Sequence, residues 1–477
     1  MNIRKTLKSL FRKQQSEESP YITPTYGGRW DTQPIDKKRI PEDSLMPRVA
    51  YRIVADEMNL EGNPALNMAT FVTTWMEPEA DELIKLGATK NLVDEDEYPQ
   101  LKVIEDRIIQ MEAELFNAPE DCDCIGVTTI GSSEAIMLAL LAHKWRWRKR
   151  RQADGLDISR PNIIFGADVH TCWEKFARYF DVEMRVIPLQ EDKYTIGADD
   201  VEPLLDENTI AVGVVVGTTF TGQVDDISGI NQLLLNHKQK TGMDIPIHVD
   251  AASGGFVLPF YQPQFVWDFR LEQVRSINVS NHKFGLVYAG MGSVIFKDKS
   301  DLPMELPFEI NYLGGSMYNY SLNFSKGSSI LLAQYYMFLR LGKSGYRKII
   351  SAVMSNAQYL EQKLAESGFF EVLTDANYLP AVVIRLIDDS LFTAYHISDE
   401  LRKNGWIVPA YSLPPSAEHV VVLRMVIKEN FSRDLADKLL NDTLASIRHL
   451  QQNPPSNVKV ADNISTENRQ TTPHGPC

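Results

Sequence analysis

The chain has 477 residues, 44% of them apolar and 23% charged, enough for a large core and two domains with terminal segments. A formal net charge of −14 excludes nucleic-acid binding driven by bulk electrostatics, and no apolar run reaches the roughly 18 residues a membrane helix needs. Four cysteines are too few for a disulfide framework, and polar residues interrupt every apolar stretch near the N-terminus, unlike a secretory leader.

Residues 1–64 read as an N-terminal arm. Ile3, Leu7, Leu10 and Phe11 fall on one helical face among basic residues. That face suits a frayed or subunit-packing helix better than a membrane-surface one, because a single short helix holds a bilayer only marginally. Beyond residue 21 the arm is rich in Pro, Gly and charge, with a helix expected over 49–59. The ordered body starts near 65. Leu101, Ile104, Ile108, Met111 and Leu115 predict a core helix over 101–117. Gly131-Ser132-Ser133 then opens a further helical pattern, which is either an ordinary cap or a cradle of N–H and hydroxyl groups for an anion such as phosphate. This helix ends in Lys144-Trp145-Arg146-Trp147-Arg148-Lys149-Arg150-Arg151. Such interleaving suggests nucleic acid, but cations at a helix C-terminus complement its dipole and tryptophans pack inward, which suits an acidic chain better.

From 162 onward strands (163–166, 210–216) alternate with helices (173–180, 227–237), implying a mostly parallel sheet covered on both faces. Ligands in such sheets bind at the carboxyl ends of the strands. Two later strands end on chemistry. One runs to Asp250 and is followed by Ala251-Ala252-Ser253-Gly254-Gly255, small residues that let a flat group approach the backbone. The other, 274–279, leads into Ser280-Asn281-His282-Lys283-Phe284-Gly285, which projects an amine into a pocket where desolvation makes it a nucleophile. A lysine for a Schiff base and an acid for a ring nitrogen are the pair that pyridoxal phosphate needs. From 354 a smaller α+β domain is expected, with strands at 381–386 and 420–425. Arg424, in an otherwise apolar run, requires an anionic partner, either a substrate carboxylate or an internal acid. Residues 451–477 are a polar, proline-containing flexible tail without the basic Trp-containing helix of a calmodulin target.

Gly131-Ser132-Ser133-Glu134-Ala135, Lys144 to Arg150, His248-Val249-Asp250-Ala251-Ala252-Ser253-Gly254-Gly255-Phe256 and His282-Lys283-Phe284-Gly285 carry a family resemblance. Glu97-Tyr98-Pro99-Gln100, Val266-Trp267-Asp268-Phe269-Arg270-Leu271 and Tyr312-Leu313-Gly314-Gly315 extend it. Over about 56–450 the chain resembles the pyridoxal-phosphate-dependent decarboxylases, and within them the bacterial glutamate decarboxylases. The resemblance implies an α/β chain with the PLP-dependent transferase fold (fold type I). A large cofactor domain would span 65–353 and a small C-terminal domain 354–450. It implies pyridoxal 5'-phosphate as cofactor, no metal, and conversion of L-glutamate to 4-aminobutanoate and carbon dioxide with uptake of a proton, a reaction suited to acid resistance in the cytoplasm.

By the same resemblance, Lys283, Asp250, His170 and His282 are catalytic. Ser132, Ser133, Thr219, Ala252 and Ser280 join them around the cofactor, with His170 and Ala252 on opposite faces of its ring. Ser325 would reach the cofactor phosphate of a partner subunit, as the hairpin at 312–315 would reach its site, implying at least a homodimer, or a hexamer of stacked dimers. Thr70, Phe71, Asn91 and Asp94 would surround the distal carboxylate of the substrate, and Arg424 its α-carboxylate. His170 stands where bacterial relatives carry glutamine and many related decarboxylases carry histidine, leaving a different amino-acid substrate open. His474 lies near the position of a C-terminal histidine that plugs the site as pH rises. An aminotransferase sharing Lys283 and Asp250, and a catalytically silent scaffold, are the remaining alternatives.

Overall fold

A computed structural model describes residues 38–456 apart from 122, 191, 311–316 and 375. The expected helix over the first residues, the hairpin at 312–315 and His474 lie outside the described residues. The chain divides into two compact units, residues 1–63 and 64–477. The described part of the first holds α1 (Pro47–Met58), which starts on a proline that lacks the N–H a helix leaves unpaired there and buries no residue.

The second unit is built on a seven-stranded sheet. In chain order its strands are β1 (Ile125–Thr129), β2 (Asn162–Gly166), β3 (Glu183–Ile187), β4 (Thr209–Val215), β5 (Ile247–Asp250), β6 (Val274–Val279) and β7 (Gly292–Phe296), arranged β1-β7-β6-β5-β4-β2-β3. Pairing is parallel except at β7, which runs against both neighbours. Every residue of β2, β4, β5 and β7 is buried, as expected of strands covered by helices on both faces. The longer helices around it are α2 (Pro78–Gly87), α3 (Pro99–Leu115), α4 (Ser132–Ala153), α5 (Cys172–Tyr179), α6 (Ile227–Thr241) and α7 (Ser329–Glu366). The last is a 38-residue span broken at Gly342, whose φ of 55° glycine alone adopts at no steric cost. Helix α6 shows how local sequence sets an element. Asp226 accepts from the Gly229 N–H at its start, and Gly242 closes it in the left-handed conformation.

A hairpin of β8 (Phe308–Ile310) and β9 (Met317–Asn319) precedes α7. After α7 comes a second, antiparallel sheet of β10 (Phe370–Val372), β11 (Ala381–Leu386), β12 (Ala410–Ser412) and β13 (Val421–Val426), in the order β10-β11-β13-β12. It is flanked by α8 (Ala394–Lys403) and α9 (Arg433–Gln452). The core runs without interruption from the large sheet through α7 to this small one. The α/β architecture with a mostly parallel sheet and a small C-terminal α+β portion agrees with expectation.

The basic stretch that closes α4 is engaged within the chain. Arg146 pairs with Asp301 at 2.6 Å, Lys149 with Glu305 at 2.8 Å, and Arg150 donates to the Asp244 carbonyl at 2.8 Å. Trp147 is buried, its indole N–H donating to the Glu207 carbonyl. Internal pairing and packing account for this motif.

Candidate active site

Five crossings of the large sheet end at one place. The carboxyl ends of β1, β2, β4, β5 and β6 deliver Ser132 and Ser133, His170, Thr219, Asp250 with Ala252, and Ser280 with Lys283 to a single cavity of about 440 Å³. The small sheet closes it with Arg424 from β13, and the segment 69–72 lines its mouth. Of the residues expected to act, Thr70, Phe71, Ser132, Ser133, His170, Thr219, Asp250, Ala252, Ser280, His282, Lys283 and Arg424 all line this cavity.

Lys283 is presented by a turn fixed on both sides. Thr73 donates its N–H to the His282 carbonyl at 2.9 Å and its hydroxyl to the Lys283 carbonyl at 2.6 Å. The Lys283 amine donates to Ser253 Oγ at 3.0 Å and lies 5.3 Å from the centre of the Phe71 ring. Burial pulls this amine below the usual lysine range, against the attraction of Asp250 and with the repulsion of Arg424 adding to it. The result is a lysine with a larger neutral fraction, the form that attacks a carbonyl carbon.

Asp250 is held rigidly. Its Oδ1 accepts from Asn278 Nδ2 at 3.0 Å and from the Ala252 N–H at 3.1 Å, and its Oδ2 accepts from Trp173 Nε1 at 3.1 Å. Trp173 reaches it because residue 213 on β4 is glycine. A methyl group there would stand 2.2 Å from the indole ring. The two histidines are neutral bases. Burial, then the charge of Lys283, lowers His170 from its ordinary range and takes His282 down to about 4. His282 Nδ1 accepts the Met291 N–H at 3.4 Å.

Among the described residues, Arg424 has no carboxylate to pair with. Its Nη1 donates to the Thr219 carbonyl, its Nη2 to the Ala69 carbonyl at 2.6 Å, and its buried Nε has no partner among the described residues. The guanidinium stacks 5.1 Å from the Phe71 ring and 5.6 Å from Tyr411. The internal-acid alternative is therefore not what the geometry contains. The cation faces the cavity with donor capacity to spare.

The opposite wall is an anion cradle. Helix α4 begins at Ser132 with first-turn N–H groups that have no intrahelical acceptor, and two hydroxyls stand beside them. The buried Ser280 Oγ also lacks a partner among the described residues. Amine, acid, stacking residues and anion cradle together fit pyridoxal phosphate. Bound there, the cofactor would find Lys283 for its aldehyde, Asp250 for its ring nitrogen, and Ser132 with Ser133 for its phosphate.

Asn91, Asp94 and Ser325 stand apart. Asn91 Nδ2 contacts both Asp94 Oδ1 and Ser325 Oγ at 3.4 Å, and its Oδ1 accepts the Lys326 N–H, so the three form their own cluster. None of them lines the cavity of this chain, and Ser325 is exposed. The chain folds these residues together without bringing them to its own Lys283.

Several residues of the site carry no local signal in the sequence. Trp173 and Ser253 sit 77 and 30 positions from the groups they serve. Asp168 lines the cavity with both carboxylate oxygens unpartnered among the described residues, and burial next to Asp225 raises it well above the carboxylate range. Glu134 accepts the Ile130 N–H on one oxygen and the Leu322 and Asn323 N–H groups on the other, tying the start of α4 to the segment that leads to Ser325.

A family profile, "Pyridoxal-dependent decarboxylase conserved domain", matches residues 41–387. The chain is 47% identical to a glutamate decarboxylase of Solanum lycopersicum, covering 95% of this chain and 90% of that protein. It is 42% identical to the glutamate decarboxylase beta of Listeria monocytogenes, over 92% and 96% of the two chains. Among solved structures, the Lactobacillus brevis glutamate decarboxylase superposes with a TM-score of 0.87 at 42% identity, over 90% of this chain and 98% of that one. The chain belongs to the pyridoxal-dependent decarboxylase family, and within it to the glutamate decarboxylases.

Proposed function

We propose that this chain removes the α-carboxylate of L-glutamate, giving 4-aminobutanoate and carbon dioxide and taking up one proton, in the cytoplasm, where proton uptake serves acid resistance. The observation that carries this reading is the pairing of a desolvated lysine with an unpaired arginine across one cavity. Pyridoxal phosphate, when bound, supplies the electron sink that the departing carboxylate's electron pair requires. The chain supplies the rest. Lys283 offers a partly neutral amine as the nucleophile that anchors the cofactor, with Ser253 Oγ orienting it. Asp250, fixed by three donors, would hold the ring nitrogen and stabilise positive charge there. His170 and Ala252 would hold the two faces of the ring and Ser280 and Thr219 its edge, and His282 flanks the lysine.

Arg424 would bind the α-carboxylate and orient the scissile bond, favouring decarboxylation over proton abstraction. Thr70 and Phe71 begin the pocket for the distal carboxylate. Asn91, Asp94 and Ser325 serve the cavity of a partner subunit, because they cluster outside their own. The enzyme is thus at least a homodimer with shared sites. No helix among the described residues is long and apolar enough to cross a membrane. Residues 65–353 would act as the cofactor domain and 354–450 as the small domain beside it.

The test is direct. Purified protein, pyridoxal phosphate and L-glutamate at mildly acid pH release carbon dioxide and 4-aminobutanoate in equal amounts. Release of neither from cofactor-loaded protein overturns the choice of substrate, and a keto acid in their place marks an aminotransferase.

A further inference from the structure

Behind the turn that presents Lys283, away from the cavity, lies a buried carboxyl. Glu112, on α3, has no solvent exposure, and its Oε1 accepts from Asn281 Nδ2 at 2.6 Å. Its Oε2 has no partner among the described residues. Asn281 Nδ2 also donates to Gln334 Oε1 at 3.1 Å, and Ser293 Oγ donates to Asn281 Oδ1 at 3.1 Å. Gln334 Nε2 and the Tyr346 hydroxyl, both on α7, donate in turn to the Gly285 carbonyl at 3.3 Å and 2.8 Å. Both ends of the turn 281–285 are therefore tied to helices beneath it, with Lys283 between them. The turn has no slack, since a methyl group at Gly285 would stand 2.4 Å from the Asn281 carbonyl oxygen. Neither Glu112 nor Asn281 lines the cavity.

We propose that Glu112 is a positioning residue: through Asn281 it holds the turn that presents Lys283, and the charge on its carboxyl sets how firmly that turn is held. The contact exists whatever the substrate. Its consequence for catalysis rests on Lys283 carrying the cofactor.

Burial raises this carboxyl from its ordinary 4.5 to about 7, against the Asn281 and Ser293 donors. The titratable group facing it is Tyr346 of α7, which stays protonated because burial pushes its phenol well up. From the β7 side the neutral Ser293 faces it among the described residues. A turn that opens and admits water returns Glu112 to its ordinary value. Between the two values the open form binds fewer protons than the closed form, so opening becomes easier as pH rises and levels off above about 7. The turn is firmest in acid.

Amide hydrogen exchange on the holoenzyme reads this directly, with intrinsic exchange rates divided out. In the wild type, protection of residues 280–286 falls between about pH 5 and 7, by up to about tenfold per unit, and then becomes flat. In Glu112→Gln the profile is flat throughout. Asn281→Ser, which keeps Glu112 but cuts the link, loses the same pH dependence and decides the matter should the glutamine variant fold poorly. A wild-type profile without pH dependence, or variants that retain it, overturns the proposal. Absent cofactor colour or absent carbon dioxide release would instead remove the proposed function and leave the exchange result standing.

Discussion

At the scale of the residue, the site works by withholding partners. Lys283 and Arg424 both lie against Phe71, and neither has a carboxylate within ion-pair distance among the described residues. An amine and a guanidinium held beside one ring without an ion-pair partner are left open to a ligand from outside. Replacing Lys283 with alanine should leave the melting temperature near that of the wild type, abolish the borohydride-stable cofactor adduct, and lower decarboxylation by more than about a thousandfold. A subtler change tests the support. Trp173→Phe keeps the packing but removes one N–H from Asp250, and a hydrogen bond to a charged acceptor is worth about 1.5–3 kcal/mol. Steady-state kinetics should show kcat/KM down by about ten- to a hundredfold with cofactor still bound. An unchanged value would mean that the Asn278 and Ala252 donors suffice to orient the carboxylate.

At the scale of the element, the strands that deliver chemistry were the most legible in the sequence. Strands 274–279 and 381–386 were recovered to the residue, because each is an apolar run bounded by polar or turn residues. Lys283 and Asp250 were readable since each ends such a run. Strand β3 was not, because it lies at the sheet edge with Glu183, Met184 and Val186 exposed and so lacks the buried-strand pattern. Strand β7 escaped too. It follows the turn-rich stretch after Gly285, and its antiparallel course breaks the strand–helix alternation. Supporting residues failed for another reason. Glu112 meets Asn281 across 169 positions, and no local pattern encodes that contact. The Gly213 position joins both themes. Gly213→Ala should displace the Trp173 ring, lower stability by about 1–3 kcal/mol in a denaturant melt, and weaken activity through Asp250.

At the scale of the whole molecule, buried titratable groups pull stability in opposite directions with pH. His248 and His282 are both taken down to about 4 by burial, so each costs stability as pH falls from about 6.5 towards 4. Asp225 and Glu112 are both pushed up to about 7, so each costs stability as pH rises from about 4 to 7. The slopes oppose, and melting temperature against pH should peak between about 5 and 6. A peak above 7 would contradict the assignment of these four groups. The sharing of sites between subunits proposed above makes a separate prediction. Two inactive variants, Lys283→Ala and Asn91→Ala, should regain about a quarter of the wild-type sites when unfolded and refolded together at equal amounts, because random pairing leaves one complete site in each mixed dimer. No recovery would place Asn91 outside the reaction.

The grip of Glu134 on the Ile130, Leu322 and Asn323 amides carries this coupling into solution behaviour. One carboxylate fastens the phosphate cradle to the segment bearing Ser325, so what orders one orders the other. In the proposed dimer, cofactor affinity and self-association would then be reciprocal quantities linked by a single free energy. Dilution should loosen the cofactor, and stripping the cofactor should loosen the pairing, by the same factor.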